Sequence, residues 1–222
     1  MAEAFDQIVI VVPDLESAVD EYEALLGCAA EDVSGERWFA LANTVLALRQ
    51  ADVDSAAVAG IVLCDPAAGR DAQSIANPLE LAIAVCDGRQ SARLTRNTAL
   101  AVDHLVLRTA DADACIEFFA GQMGIRLALD KTVPEWGGRM LFFRAGKMTL
   151  EVIQSDDATP GEHFFWGIAL QHCDLDLFCG ELGGRGVSCS SVRDGRKPGT
   201  RVATVKSHDL GVPTLLIEPG VG

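Results

Sequence analysis

Apolar and polar positions along the chain follow two periods, the two-residue period of β-strands and the longer period of α-helices. Residues 5–12 form a β-rich run, and residues 15–26 carry apolar side chains at helical spacing. Asp14 is suited to cap the start of this helix, and Gly27 to take the left-handed conformation that ends one. The N-terminal segment is therefore predicted to be a strand followed by an amphipathic helix.

The same strand and helix pattern returns further along the chain. Residues 102–111 match residues 5–14, so that His104 corresponds to Gln7, and a second helix is predicted up to Gly124. Three strand patterns follow, at 125–132, 139–144 and 148–154. This order of elements is a βαβββ unit, and its repetition predicts a tandem architecture.

Further copies of the unit occupy the rest of the chain. The first copy has its late strands at 37–41 and 44–49, and a third copy begins at Trp166, with a helix at 175–186 and strands at 187–192, 201–206 and 214–217. Residues 51–100 resemble a degenerate copy, with strands at 58–65 and 79–87 around a short helix. We predict an α+β fold in which residues 1–100 hold the N-terminal module and the degenerate one, and residues 101–222 hold a C-terminal pair.

Charge and hydropathy limit the classes of partner. The chain of 222 residues has a formal net charge of −14, which repels nucleic acid and anionic lipid. No apolar run approaches the roughly 20 residues that cross a bilayer. The acidic N-terminus leads straight into a strand and lacks the pattern of a signal peptide, so a cytoplasmic protein is expected. A small molecule is the predicted partner.

The tandem units carry short motifs that resemble a known family. These are Asp-His at 103–104, Leu-Glu-Val at 150–152, Phe-Trp-Gly-Ile-Ala-Leu at 165–170 and Gly-Arg-Lys-Pro-Gly-Thr-Arg at 195–201. Together with the βαβββ repeat they resemble the vicinal oxygen chelate superfamily, which includes glyoxalases, bleomycin-resistance proteins and extradiol dioxygenases. The resemblance implies curled mixed sheets that form cup-shaped half-barrels, a divalent metal, a substrate with adjacent oxygens, and a possible homodimer.

Strand alternation predicts which side chains face such a cup. His104, Val106 and Arg108 share one face of their strand, and Glu151 lies among apolar neighbours in a later strand. A buried carboxylate needs a proton, a cation or a metal. By the resemblance, His104 and Glu151 match two metal positions, for zinc, iron(II), nickel or manganese. The structural alternative is an ion pair between Arg108 and Glu151.

Two ligands are too few for a metal site, so the third position matters. The corresponding residues are Gln7 and Ala47 in the first unit, and Gly167 and Leu216 in the last. Gln7 can join His104 and Glu151 only if the first and third units share a cup. Pairing of the third unit with the last leaves the metal site with too few ligands.

Several other residues are candidates for the cup. Glu218 lies one pleat beyond Leu216, and His163 would have to reach the cup through a loop. The basic turn at 195–201 is suited to attract an anion, with Arg201 as a substrate-binding residue. Arg108 and Trp136 are the other predicted substrate-binding residues.

These residues predict an enzyme, a metal-assisted lyase or isomerase that acts on a small oxygenated compound. Glu151 would move the proton while a metal polarises a carbonyl oxygen. Ring-cleaving dioxygenase chemistry is less favoured, because the resemblance calls for a second histidine where Gly167 stands. The alternative function, motivated by the empty ligand positions, is metal-free binding of a small molecule, as in bleomycin-resistance proteins.

Overall fold

The computed structural model describes residues 1–96, 98–133, 138–155 and 159–220. Within these residues the strands form two mixed sheets, neither of which closes into a barrel. The first is a seven-stranded sheet in the order β2-β3-β4-β1-β5-β7-β6, and the second an eight-stranded sheet in the order β13-β14-β15-β12-β8-β11-β10-β9. This arrangement confirms the predicted α+β class with tandem modules.

The elements of the seven-stranded sheet are β1 (Ala4–Val12), α1 (Leu15–Leu26), β2 (Glu31–Val33), β3 (Glu36–Ala40), β4 (Val45–Gln50), β5 (Ala57–Cys64), β6 (Gln73–Ser74) and β7 (Ala82–Cys86), followed by a 3₁₀ turn (Ser91–Arg93). The elements of the eight-stranded sheet are β8 (Ala101–Thr109), α2 (Ala112–Cys115, continued as a π-helix over Ile116–Gln122), β9 (Arg126–Val133), β10 (Gly138–Ala145), β11 (Met148–Ser155), β12 (His163–Gln171), α3 (Leu175–Gly184), β13 (Arg193–Asp194), β14 (Arg201–Thr204) and β15 (Thr214–Glu218).

The three helices begin at the aspartates that the sequence indicates. The carboxylates of Asp14, Asp111 and Asp174 each accept a hydrogen bond from a backbone N–H in the first turn of their helix. Gly27 ends α1 with a φ of 68°, a conformation that costs a glycine little. Local chemistry thus fixes the starts of all three helices.

Two predicted elements in the loops are wrong. No helix connects β5 to β7, because residues 65–78 contain Pro66, Gly69 and Pro78, and this segment forms turns and the two-residue strand β6. The strand expected at 187–192 is reduced to a single bridge between Cys189 and Val205 ahead of the short β13.

The strand register shows which positions of the modules are equivalent. Parallel pairing places Ala47 beside Val9 in the first module and Glu151 beside Val106 in the third, as the repeat predicts. In the last module the same place beside Ala169 belongs to Leu215. The predicted equivalence of Leu216 is therefore wrong by one residue, and Leu216 is buried in the core on the helix side.

The third module pairs with the last one. Strand β12 runs antiparallel to β8 along its whole length, so both modules contribute to one curved sheet. The first module lies in the other sheet, and the condition for Gln7 to join His104 is not met. A common hydrophobic core spans both sheets, and the Asn43 side chain links them by hydrogen bonds of 2.8 and 2.9 Å to the backbone of Val102.

The helices of the described residues are also too short and too polar to cross a bilayer.

Candidate functional site

A histidine and a glutamate meet on the concave face of the eight-stranded sheet. Strand β8 carries His104 and the neighbouring parallel strand β11 carries Glu151, with their side chains on the same face. Nε2 of His104 lies 3.5 Å from Oε2 of Glu151, and the two side chains are only 17% and 16% exposed. The structure thus brings together the two side chains at the centre of the predicted site.

Asp103 extends this pair into a row of three titratable groups. Its Oδ2 lies 2.9 Å from Nδ1 of His104. The hydrogen bond from the imidazole lowers the pKa of Asp103, and Arg144 and Lys197 act in the same direction. An ionised carboxylate accepts the proton of Nδ1–H, which leaves the other ring nitrogen directed at Glu151.

Glu151 is held in an environment that favours its neutral form. Burial raises the pKa of its carboxyl group, while His104 and Arg196 act against this rise and Asp103 adds to it. A carboxyl group in such surroundings keeps its proton to higher pH than an exposed one. A raised carboxyl pKa suits general acid and base catalysis near neutral pH.

Arg108 does not pair with Glu151, contrary to the structural alternative considered from the sequence. Its guanidinium carbon lies 5.7 Å from the centroid of the Trp166 ring, and its Nη2 lies 3.4 Å from the hydroxyl of Ser155. Within the described residues, the cationic neighbours that affect the pKa of Glu151 are His104 and Arg196.

A cavity of about 410 Å³ opens beside His104. Its walls include His104, Val106, Trp166, Gly167, Thr204 and Leu215. Trp166 is 43% exposed although it is a large apolar side chain. A mostly apolar hollow with a few convergent polar groups is typical of a small-molecule site.

The other predicted site residues lie elsewhere. Gln7 donates its side-chain N–H to Asp6 at 3.1 Å in the seven-stranded sheet. Arg201 is held on the helix side of its sheet by Asp176, at 2.7 Å, and by Glu218. Trp136 falls outside the described residues.

Glu218 and His163 also have structural roles away from the cup. A carboxylate oxygen of Glu218 accepts the backbone N–H of Leu175 at the start of α3, at 2.8 Å. Nδ1 of His163 lies 2.7 Å from the hydroxyl of the buried Thr109. These contacts explain why two polar residues occur near the ends of core strands.

The basic turn at 195–201 reaches the cup through residues that the sequence pattern did not select. Arg196 is close enough to lower the pKa of Glu151, and Lys197 lowers that of Asp103. The turn itself was the available signal, and its two central cations, rather than Arg201 at its end, act on the carboxyl groups of the site. In an acidic protein they make the mouth of the cup locally cationic.

The comparison with family models agrees with this architecture. Residues 101–209, which carry His104 and Glu151, match the model described as the Glyoxalase/Bleomycin resistance protein/Dioxygenase superfamily. The part of the chain that carries the candidate site is thus similar to that superfamily. The family resemblance predicted from the repeat and its motifs is thereby confirmed.

Two known proteins illustrate the relationship. The chain is 28% identical over 173 residues to a 2-epi-5-epi-valiolone epimerase from Actinomyces sp., a match that covers 72% of this chain and 84% of the relative. A mutant of 4-hydroxymandelate synthase from Streptomyces coelicolor superposes with a TM-score of 0.74 at 13% identity, covering 100% of this chain and 94% of the other. The second similarity establishes the common fold.

The superfamily implies a divalent metal, and the side chains at its ligand positions can be compared with that requirement. His104 and Glu151 supply two donors, whereas Gly167 and Leu215 at the corresponding places of the last module supply none. Among the described residues no group of three or more potential ligands comes together. Catalytic zinc sites use three protein ligands, so this donor set does not complete one.

Proposed function

We propose that the protein is an isomerase, specifically an epimerase, that moves a proton at a carbon next to a carbonyl group in a small oxygenated compound. The single observation that carries this proposal is the mostly buried Glu151, with its raised pKa, 3.5 Å from His104, which lines the cavity. The sequence similarity to an epimerase that extends over 72% of the chain supports the same class of reaction.

In this mechanism Glu151 takes the proton from the carbon as its C–H bond breaks and an O–H bond forms on the carboxyl group. The electron pair moves to the carbonyl oxygen, which becomes an enolate. Protonation of the enolate on its opposite face by solvent gives the epimer, and Glu151 then releases its proton to the solvent. Burial favours the neutral carboxyl group and so stabilises the state in which Glu151 holds the proton.

The neighbouring residues orient Glu151 and balance the new charge. Asp103 holds the His104 ring through Nδ1, so that the ring keeps a fixed position against Glu151. After His104, Arg196 is the group that lowers the pKa of the carboxyl group, and we assign to it the stabilisation of the enolate oxygen. These steps are written with the side chains of this chain alone, and metal assistance by His104 and Glu151 stays a prediction.

Solvent exchange of the substrate proton tests the proposal directly. The full chain is incubated in D₂O with 2-epi-5-epi-valiolone, and with a panel of simple α-hydroxyketones, and loss of the α-proton signal is followed by ¹H NMR. The wild type should catalyse exchange, and Glu151→Gln should lower the rate by about 10²–10⁴-fold because it removes the base. Glu31→Gln, an exposed site in the seven-stranded sheet, serves as the matched control.

Absence of exchange by the wild type with every compound would contradict the proposal. Equal rates in the wild type and Glu151→Gln would show that Glu151 is not the base. Glu151→Asp keeps the carboxyl group and should retain part of the activity, which separates loss of the base from loss of the fold.

A second candidate function is metal-free binding of a small apolar or aromatic compound. The observation that favours it is the apolar character of the cavity walls around Trp166 and Leu215. Quenching of tryptophan fluorescence by a ligand that undergoes no exchange would support this function over catalysis. Homodimerisation, implied by the family resemblance, also stays a prediction, and analytical ultracentrifugation measures it.

A further inference from the structure

One cation in the cup has no acidic partner in the described part of the chain. The Arg108 guanidinium lies on the same face of β8 as His104, packs over Trp166 and forms one long hydrogen bond with Ser155. No carboxylate of the described residues lies within ion-pair distance of it. By contrast, Arg37, Arg49 and Arg139 are each paired with at least one carboxylate.

We infer that the ligand of this cup carries an anionic group, a carboxylate or a phosphate, that binds Arg108 against the face of Trp166. Among the described residues the partly buried guanidinium forms a single long hydrogen bond, so most of its donors are left for a ligand, and a bound anion would recover the free energy of leaving them unused. The planar fork of an arginine matches both anions in a bidentate contact. The exposed Trp166 ring covers one face of that fork and limits the approach of water.

The strand register sets the distance from this anion site to the proton-transfer group. Glu151 lies beside Val106, and Arg108 is two residues further along the same face of β8. Two residues of strand span about 6.6 Å. The anionic group should therefore lie about three or four bonds from the carbon that Glu151 deprotonates. The cavity of about 410 Å³, whose walls include Val106 and the Trp166 ring over which Arg108 packs, is large enough for such a ligand.

The charges at the mouth of the cup agree with an anionic ligand. Lys197 and Arg144 both act on Asp103, and Arg196 acts on Glu151, so three further cations influence the carboxyl groups beside His104. They counter the net charge of −14 that would otherwise repel an anion. The assignment of the reacting carbon rests on the proposed function, whereas the binding of the anion does not.

Paired probes that differ in one charged group test the inference. Isothermal titration calorimetry of the full chain compares 4-oxocyclohexanecarboxylate with 4-methylcyclohexanone, and dihydroxyacetone phosphate with dihydroxyacetone. The wild type should bind the anionic member of at least one pair about tenfold or more tightly than the neutral member. The pair that shows the preference identifies the anion as a carboxylate or a phosphate.

Substitutions then assign the preference to Arg108. Arg108→Gln should abolish it, and Arg108→Lys, which keeps the charge without the fork, should retain part of it. Arg49→Gln removes a cation of the other sheet and should leave the preference intact. Equal affinity for both members of both pairs in the wild type, or an unchanged preference in a folded Arg108→Gln variant, would overturn the inference.

Failure of the proposed function gives a different result from failure of the anion site. Proton exchange of the neutral ketones is measured in parallel on the wild type, because this reaction needs Glu151 and no anionic group. An anion preference without exchange in the wild type would retain the binding site and reject the epimerase. Exchange without an anion preference would retain the epimerase and reject the anion-binding site.

Discussion

Replacing Gly167 with alanine tests why the last module contributes no ligand to the cup. Gly167 lies in β12 and faces the segment that leads into β15. A Cβ atom at this position would lie 2.5 Å from the carbonyl oxygen of Pro213 and 3.1 Å from its Cβ. The same carbonyl oxygen is fixed by a hydrogen bond of 2.9 Å from the backbone N–H of Ile168. A side chain at position 167 therefore has to displace backbone.

The expected cost follows from this overlap. Overpacking of a well-packed site costs about 1–3 kcal/mol. For a chain of this length, 1 kcal/mol corresponds to a change in Tm of about 2–4 °C. Gly167→Ala should therefore lower the Tm by about 2–12 °C.

Thermal unfolding followed by circular dichroism measures this shift, with Gly180→Ala as the control. Gly180 lies within α3 and nothing lies within 4 Å of the position its Cβ would take. Alanine is favoured there by about 0.5–1 kcal/mol, so the control should be unchanged or stabilised. An unchanged Tm in Gly167→Ala would refute the reasoning, because the segment that carries Pro213 would then have room for a larger side chain.

Three further predictions concern the cup and the contact between the sheets. Burial raises the pKa of Glu151 above its ordinary value of 4.5, so the wild type should lose stability as the pH rises from about that value through the pKa of the folded state. Urea titrations across this pH range should show a smaller loss of stability for Glu151→Gln than for the wild type. If the stability of both proteins falls equally with pH, burial of Glu151 is not the cause of the loss. Asn43→Ala removes two hydrogen bonds to Val102 and should cost about 1–3 kcal/mol in the same assay, and a cost below about 0.5 kcal/mol would argue against this link. Zn²⁺ should bind weakly and lose its effect on the Tm in His104→Ala, whereas tight equimolar binding would require a ligand outside the described residues.

The sequence predicted most of the fold because its signals are local. The aspartate caps and the two periods of the apolar pattern specify the strands and helices before any tertiary contact forms. The pairing of β8 with β12 had no local signal, since alternation shows which face of a strand is buried and not which strand lies beside it. For this reason the sequence left open whether Gln7 or the last module would share the cup with His104.

The candidate site was predictable where strand geometry determines it. Alternation placed His104, Arg108 and Glu151 on one face, and the structure places all three there. The same rule did not indicate Asp103, because adjacent residues of a strand point to opposite faces. Nevertheless, the Asp103 carboxylate reaches Nδ1 of His104. Inside the turn at 195–201 no period exists, so the sequence could not distinguish Arg196 from the later arginine of that turn.

The two sheets use equivalent positions for opposite purposes. In the first module Ala47 takes the place of Glu151 and packs with Trp38 and Val45 in a cluster that is at most 5% exposed. A carboxylate at position 47 would be buried among these apolar groups, and its burial would destabilise the fold. In the third module the same position has His104 beside it and a cationic turn above it, so the cost of burial appears as a raised pKa of Glu151. The neighbours of the position, rather than the module itself, therefore determine whether it contributes to packing or to chemistry.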